Sequence, residues 1–129
     1  VTLGEYLKAP RPVWDWQAQD CCRWVARWVV SQGHPDPMDH IGHRYSTQLG
    51  ALRLIRRGGG LVTLWSKGMT GAGLAAVTEP AMGAVAVLSV PTDDGTDEAC
   101  GIWTGERWGM LHERGLVFGV GTPLKIWDV

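Results

Sequence analysis

The chain has 129 residues, 45% hydrophobic and only 19% charged, with a formal net charge of −1. A chain of this length buries roughly two-thirds of the surface its unfolded form exposes, enough for one self-supporting core, so it reads as a single domain over 1–129. There is no basic surplus to neutralise phosphates, so nucleic-acid binding has no electrostatic support, and no apolar run approaches the ~20 residues of a membrane span.

The start, Val1-Thr2-Leu3-Gly4-Glu5, has neither the basic residues nor the apolar run of a signal peptide. Three cysteines, Cys21, Cys22 and Cys100, are an odd number with two adjacent, which is no secreted disulfide framework. Synthesis in a cytoplasm with reduced thiols is the expectation. Low charge leaves little repulsion between copies, which suits a subunit packed in an assembly. Eight tryptophans offer large rings for the core, with interface anchoring as the alternative.

In chain order, residues 2–8 read as a short helical turn ended by Pro10 and Pro12, and Val13-Trp14-Asp15-Trp16 as an extended, packed segment. Asp20 is a good N-cap for a helix over Cys21 to Gln32, whose apolar positions 21, 25, 28 and 29, flanked by 22 and 26, give a broad buried face. Gly33, Pro35 and Pro37 end it. His34 to Tyr45 reads as an ordered loop. Ser46 or Thr47 caps a second helix over Gln48 to Arg57, with Arg53, Arg56 and Arg57 favourably placed near its C-terminal end. Gly58-Gly59-Gly60 stops that helix. A third helix is expected over Leu61 to Lys67, followed by a glycine-rich loop from Gly68 to Gly73.

The second half changes character. Ala84 to Val90, Cys100 to Thr104, Trp108 to His112, Leu116 to Val120 and Lys125 to Val129 are short β-rich runs. Turn chemistry separates them at Pro91-Thr92-Asp93-Asp94-Gly95 and at Thr104-Gly105-Glu106. Helices over about 1–70 and a strand meander over about 83–129 mean α+β, with the N-terminal helices packed on a small antiparallel sheet.

The sharpest local signal is Trp16-x-x-x-Asp20-Cys21-Cys22-x-Trp24-Val25. A thiol in the first turn of a helix meets unpaired N–H groups and the positive end of the dipole, which favour its thiolate. The competing reading is that Cys21 is a small buried hydrophobe, as most free cysteines are. Cys22 faces about 100° away around the helix, a packing position.

This segment resembles the Asp-Cys-Ser-x-Phe-Val signature of NlpC-type cysteine peptidases. More closely, the chain resembles a family of short phage and prophage proteins of uncharacterised function, found among tail-tip genes and similar to divergent NlpC-type domains. The resemblance is carried by Trp16, Asp20-Cys21, Ala26-Arg27-Trp28-Val29, Gly33-His34-Pro35-Asp36-Pro37, Gly42-His43-Arg44-Tyr45, Gly50-Ala51-Leu52-Arg53-Leu54 and Arg56-Arg57-Gly58-Gly59, and it extends over about residues 14–128. It implies a papain-like NlpC-type fold with Cys21 at the nucleophile position and Asp20 as its cap. In NlpC-type enzymes the base histidine opens a strand of the form His-Val-Gly-Ile-Tyr. The matching run here is Ala99-Cys100-Gly101-Ile102-Trp103, so Ala99 stands where the histidine is expected. A thiol nucleophile in such chemistry needs a base within hydrogen-bond reach, and alanine supplies none. His112, on the following strand, is the substitute base to consider.

The expectation is therefore a catalytically inactive structural component of a phage tail tip or baseplate, located in the virion. Its partners would be other tail-tip proteins: the hub, the distal tail and the tape measure. The alternative is an active peptidase or amidase cutting host peptidoglycan with Cys21 as nucleophile. A third reading is an accessory domain of a decayed prophage. No cofactor is expected. His34, Asp36, Asp39, His40 and His43 crowd one loop, but exposed loop side chains are the expectation there, with no metal. Gly71-x-Gly73-x-x-Ala76 lacks the strand that a dinucleotide fingerprint requires before it, and Gly58-Gly59-Gly60 lacks the lysine and hydroxyl of a phosphate loop.

Overall fold

A computed structural model of the chain describes residues 1–9, 20–41, 45–119 and 121–129. It is α+β. Helices α1 (Leu3–Lys8), α2 (Cys21–Ser31), α3 (Gln48–Arg57) and α4 (Leu61–Gly71) precede a six-stranded antiparallel sheet. The strands are β1 (Ala76–Val77), β2 (Val85–Thr92), β3 (Gly95–Trp103), β4 (Trp108–His112), β5 (Gly115–Gly119) and β6 (Thr122–Trp127). The segment Val13 to Trp16, read above as extended, lies outside the described residues, as does His43.

The helix starts follow their capping chemistry. Thr2 Oγ1 accepts from Glu5 N, Asp20 Oδ1 from Arg23 N at 2.9 Å and Thr47 Oγ1 from Gly50 N at 3.0 Å. Each bond satisfies a donor that the first helical turn leaves without an internal partner. Of the two candidate caps for α3, Thr47 is the one used.

The third helix does not stop at Lys67, and the expected loop from Gly68 is a correction. Helix α4 runs on to Gly71 because Gly68 is a contact residue rather than a helix breaker. A Cβ at 68 would stand 1.8 Å from the Pro37 carbonyl oxygen, so only glycine lets α4 lie this close to the loop before α3. The helix ends one turn later, with Gly73 at φ 77° and Leu74 N donating to Met69 O at 2.9 Å. That bond belongs to a Schellman closure, which favours glycine at the left-handed position.

The strand order is β1-β6-β2-β3-β4-β5. Strands β2 to β5 follow one another as a meander, but β6 returns to pair with β2, and β1, unanticipated from the sequence, adds to its far side. The strand β2 also runs through Pro91 and Thr92 into a turn at Asp93-Asp94, so the break is shorter than the Pro91 to Gly95 run suggested. Among the described residues β6 pairs with β2 only as far as Ser89, so the ladder partner shown for Pro91 is Thr96 of β3, and a proline is tolerated near such a strand end.

Apolar residues occupy both faces of the sheet. On one face Val85, Val87, Cys100, Ile102, Leu111 and Trp127 pack with Trp24, Val25, Trp28 and Val29 of α2 and Trp65 and Met69 of α4. On the other face Ala84, Ala86, Leu88, Trp108, Met110 and Ile126 form a second cluster. The tryptophans among the described residues are core rings, except Trp103, which is half-buried against Trp108. Trp28 also donates from Nε1 to Gly83 O at 2.8 Å, which ties α2 to the residues just before β2. The Tyr6 ring packs at a tilt against both Trp24 and Trp28, with centroids 5.4–5.6 Å apart, which seats α1 on α2.

Candidate functional site

The first turn of α2 projects its thiols toward β3. Cys21 and Cys22 are half-buried and Cys100 is 1% exposed. Cys22 Sγ lies 3.0 Å from Cys100 Sγ and 3.9 Å from Cys21 Sγ. All three are free thiols. The pairing of α2 with β3 makes this cluster, because Cys100 shares the helix-facing side of β3 with Ile102 while Ala99 turns to the opposite face.

Hydrogen bonds from Cys100 and then Cys22 hold the Cys21 thiol well below its ordinary range, against the opposing effect of burial. Burial, followed by the contacts with Cys21 and Cys22, pushes Cys100 well above its ordinary range. Cys22 is pulled down by Cys100 but raised more by Cys21 and by burial, and ends well above. The cluster thus concentrates negative charge on Cys21, beside N–H groups of the helix start that lack intrahelical acceptors.

Beneath the thiols lies a buried polar group. Asp20 and Arg23, each 2% exposed, form an ion pair at 3.4 Å. Arg23 also donates to Tyr45 O and lies 4.0 Å over the Tyr45 ring. Burial raises the Asp20 carboxyl despite hydrogen bonds from the Tyr45 side chain and the Arg23 backbone. Sequence reasoning identified Asp20 as a cap but missed that Arg23 and Tyr45 complete this network. Arg23 sits at an inward position of α2 where a buried cation needs a partner, and that was the available signal.

A groove of about 380 Å³ opens beside the cluster. Asp20, Cys21 and Cys22 line one end, Leu52, Ile55 and Leu64 of α3 and α4 form an apolar wall, and His112 stands on the strand side. His112 is exposed, and its Nδ1 accepts from Arg114 N at 3.4 Å. By strand alternation it shares a face with Trp108 and Met110, away from the helix-facing Leu111. The groove therefore includes Cys21 and His112, but the sulfur's hydrogen-bond partners among the described residues are the thiols and backbone of Cys22 and Cys100.

In the loop before α3, His40 Nε2 pairs with Leu64 O at 3.0 Å and Asp36 Oδ1 accepts from Met38 N at 2.8 Å. These side chains fasten the loop. Among the described residues no group of three or more histidine, cysteine or acidic side chains is arranged to hold a metal ion, and no helix is long and apolar enough to cross a membrane.

The family description Domain of unknown function (DUF6950) matches residues 2–129. The chain belongs to the DUF6950 family. The match takes in both the helical layer and the sheet, so the thiol cluster built by α2 and β3 lies wholly inside the DUF6950 domain. Comparison with curated proteins and with solved structures gave no match.

Proposed function

We propose that this DUF6950 domain is a structural component of a phage tail tip or baseplate, built on a papain-like NlpC-type fold that has lost hydrolysis. The observation that carries the loss is the company of the Cys21 sulfur: among the described residues its hydrogen-bond partners are Cys22 and Cys100. A thiolate can attack an amide carbonyl, but the departing amine must then receive a proton and a water must be activated to release the acyl group. An imidazole performs both transfers near neutral pH. Thiols whose proton affinity is raised by burial are poor donors for the first and cannot serve as a base for the second. The residue before Cys100 is Ala99, which faces the other side of the sheet. Assignment to the tail tip, with hub, distal-tail and tape-measure proteins as partners, rests on the resemblance in sequence.

A second reading, an active hydrolase of peptidoglycan, is favoured by the half-exposed Cys21 in a groove that His112 also lines. One pair of measurements separates the two. Phage carrying Cys21→Ala should assemble and infect as the parent does, and purified wild-type protein should release no soluble fragments from peptidoglycan sacculi. Fragment release that Cys21→Ala abolishes would overturn the structural reading.

A further inference from the structure

The geometry points to a reversible disulfide between Cys22 and Cys100 that bridges the first turn of α2 to β3. The two sulfurs are 3.0 Å apart, closer than the 3.9 Å between Cys21 and Cys22, and the residues are 78 positions apart in sequence. Cys22 is half-buried and reachable, whereas Cys100 is enclosed at 1% exposure. That difference sets the order of a thiol–disulfide exchange with a low-molecular-weight disulfide, RSSR. Cys22, whose raised proton affinity keeps its thiolate a minor form and makes this the slow step, attacks one sulfur of RSSR in that form. The S–S bond breaks, and the departing RS⁻ takes up the proton that Cys22 released. Cys100 then attacks the Cys22 sulfur and expels the second RS⁻, which receives the Cys100 proton. The protein loses two protons and two electrons, and RSSR becomes two RSH.

The bridge needs little movement of the backbone, because α2 already packs on β3 through Val25, Val29 and Ile102. It also changes the site. Both thiols that donate to Cys21 are consumed, which removes the two largest causes of its lowered proton affinity, leaves the backbone hydrogen bonds of Cys22 and Cys100, and makes it the single free thiol of the chain.

The test equilibrates the full chain in buffers of glutathione disulfide and glutathione at increasing oxidising ratio. N-ethylmaleimide in denaturant, needed because Cys100 is enclosed in the folded chain, traps the remaining thiols, and the peptides are mapped by mass spectrometry. Labelling of Cys22 and Cys100 should fall together, by about tenfold or more from the reduced to the oxidised end. A peptide pair joined through these two residues should appear, and dithiothreitol should restore both labels. Cys21 should stay labelled, and Cys21→Ser should form the same joined pair. Full labelling of Cys22 and Cys100 at the most oxidising ratio overturns the proposal, as does a joined pair containing Cys21 or a glutathione adduct that persists on Cys22.

Discussion

At the scale of single residues, Asp20 shows how one side chain serves two purposes with different sensitivities. Its carboxylate caps α2 and faces the Arg23 guanidinium in a site both residues reach at 2% exposure. Removing one partner of a buried ion pair costs about 3–5 kcal/mol. Asp20→Ala belongs at the low end, about 3 kcal/mol, because Arg23 keeps its bond to Tyr45 O and the Tyr45 ring. Asp20→Asn should behave differently. Burial raises the folded-state pKa of Asp20, so its favourable contribution is full below the unfolded pKa and is lost as pH rises through the folded one. A neutral amide keeps the capping bond but, like alanine, leaves Arg23 without its counter-charge, so it should cost about 1 kcal/mol less than the Ala variant. Urea midpoints at unchanged slope check both values; an Asn variant as damaged as the Ala variant would mean that the charge itself holds α2 in place.

At the scale of elements, α4 depends on a missing side chain. Gly68 has no space for a methyl group, and the obstructing atom is the Pro37 backbone oxygen, which cannot rotate away as a flexible side chain would. Gly68→Ala gains helix propensity of about 1 kcal/mol in isolation. The clash must outweigh this, since overpacking costs about 1–3 kcal/mol and here needs a backbone shift. A net loss of stability is expected, read as a lower urea midpoint. Gly71→Ala is the control: the same helix, with open space around the new Cβ, and no loss expected. Equal effects at 68 and 71 would remove close packing as the explanation for the glycine.

At the scale of the whole molecule, the helices and the sheet share one of the two apolar clusters, so α1 reports on global unfolding. The Tyr6 hydroxyl donates to Trp24 O, and burial pushes its pKa from 10.0 to about 12, with Arg27 opposing. The unfolded chain releases this proton near pH 10 and the folded chain near pH 12. Above pH 10 the unfolded state binds fewer protons, and stability falls as pH rises. The contribution is complete below pH 10 and lost across the window up to about 12. Tyr45, also raised by burial, acts in the same direction. Tyr6→Phe should lower stability at neutral pH by about 1 kcal/mol through the lost hydrogen bond, yet decline less steeply between pH 10 and 12. Denaturant titrations across that range test it, and parallel declines would exclude Tyr6 as a source of the alkaline loss.

Local chemistry was legible from the residues alone. Asp20 and Thr47 announce helix starts, Gly58 to Gly60 a stop, and Trp108 to His112 a strand found with those same bounds, because capping, turn geometry and β-branched or aromatic enrichment act over a few positions. The sequence by itself therefore determined that helices precede strands, the α+β class and the thiol at the start of α2, though not the short β1. Contacts across the fold were decided only in three dimensions. Gly68 resembles a loop residue until Pro37 is placed against it, β6 returns to β2 rather than continuing beside β5, and Cys22 reads as packing until Cys100 arrives 3.0 Å away. Each of these depends on which distant segments meet, and a periodic pattern records which face of an element is buried but not what covers it.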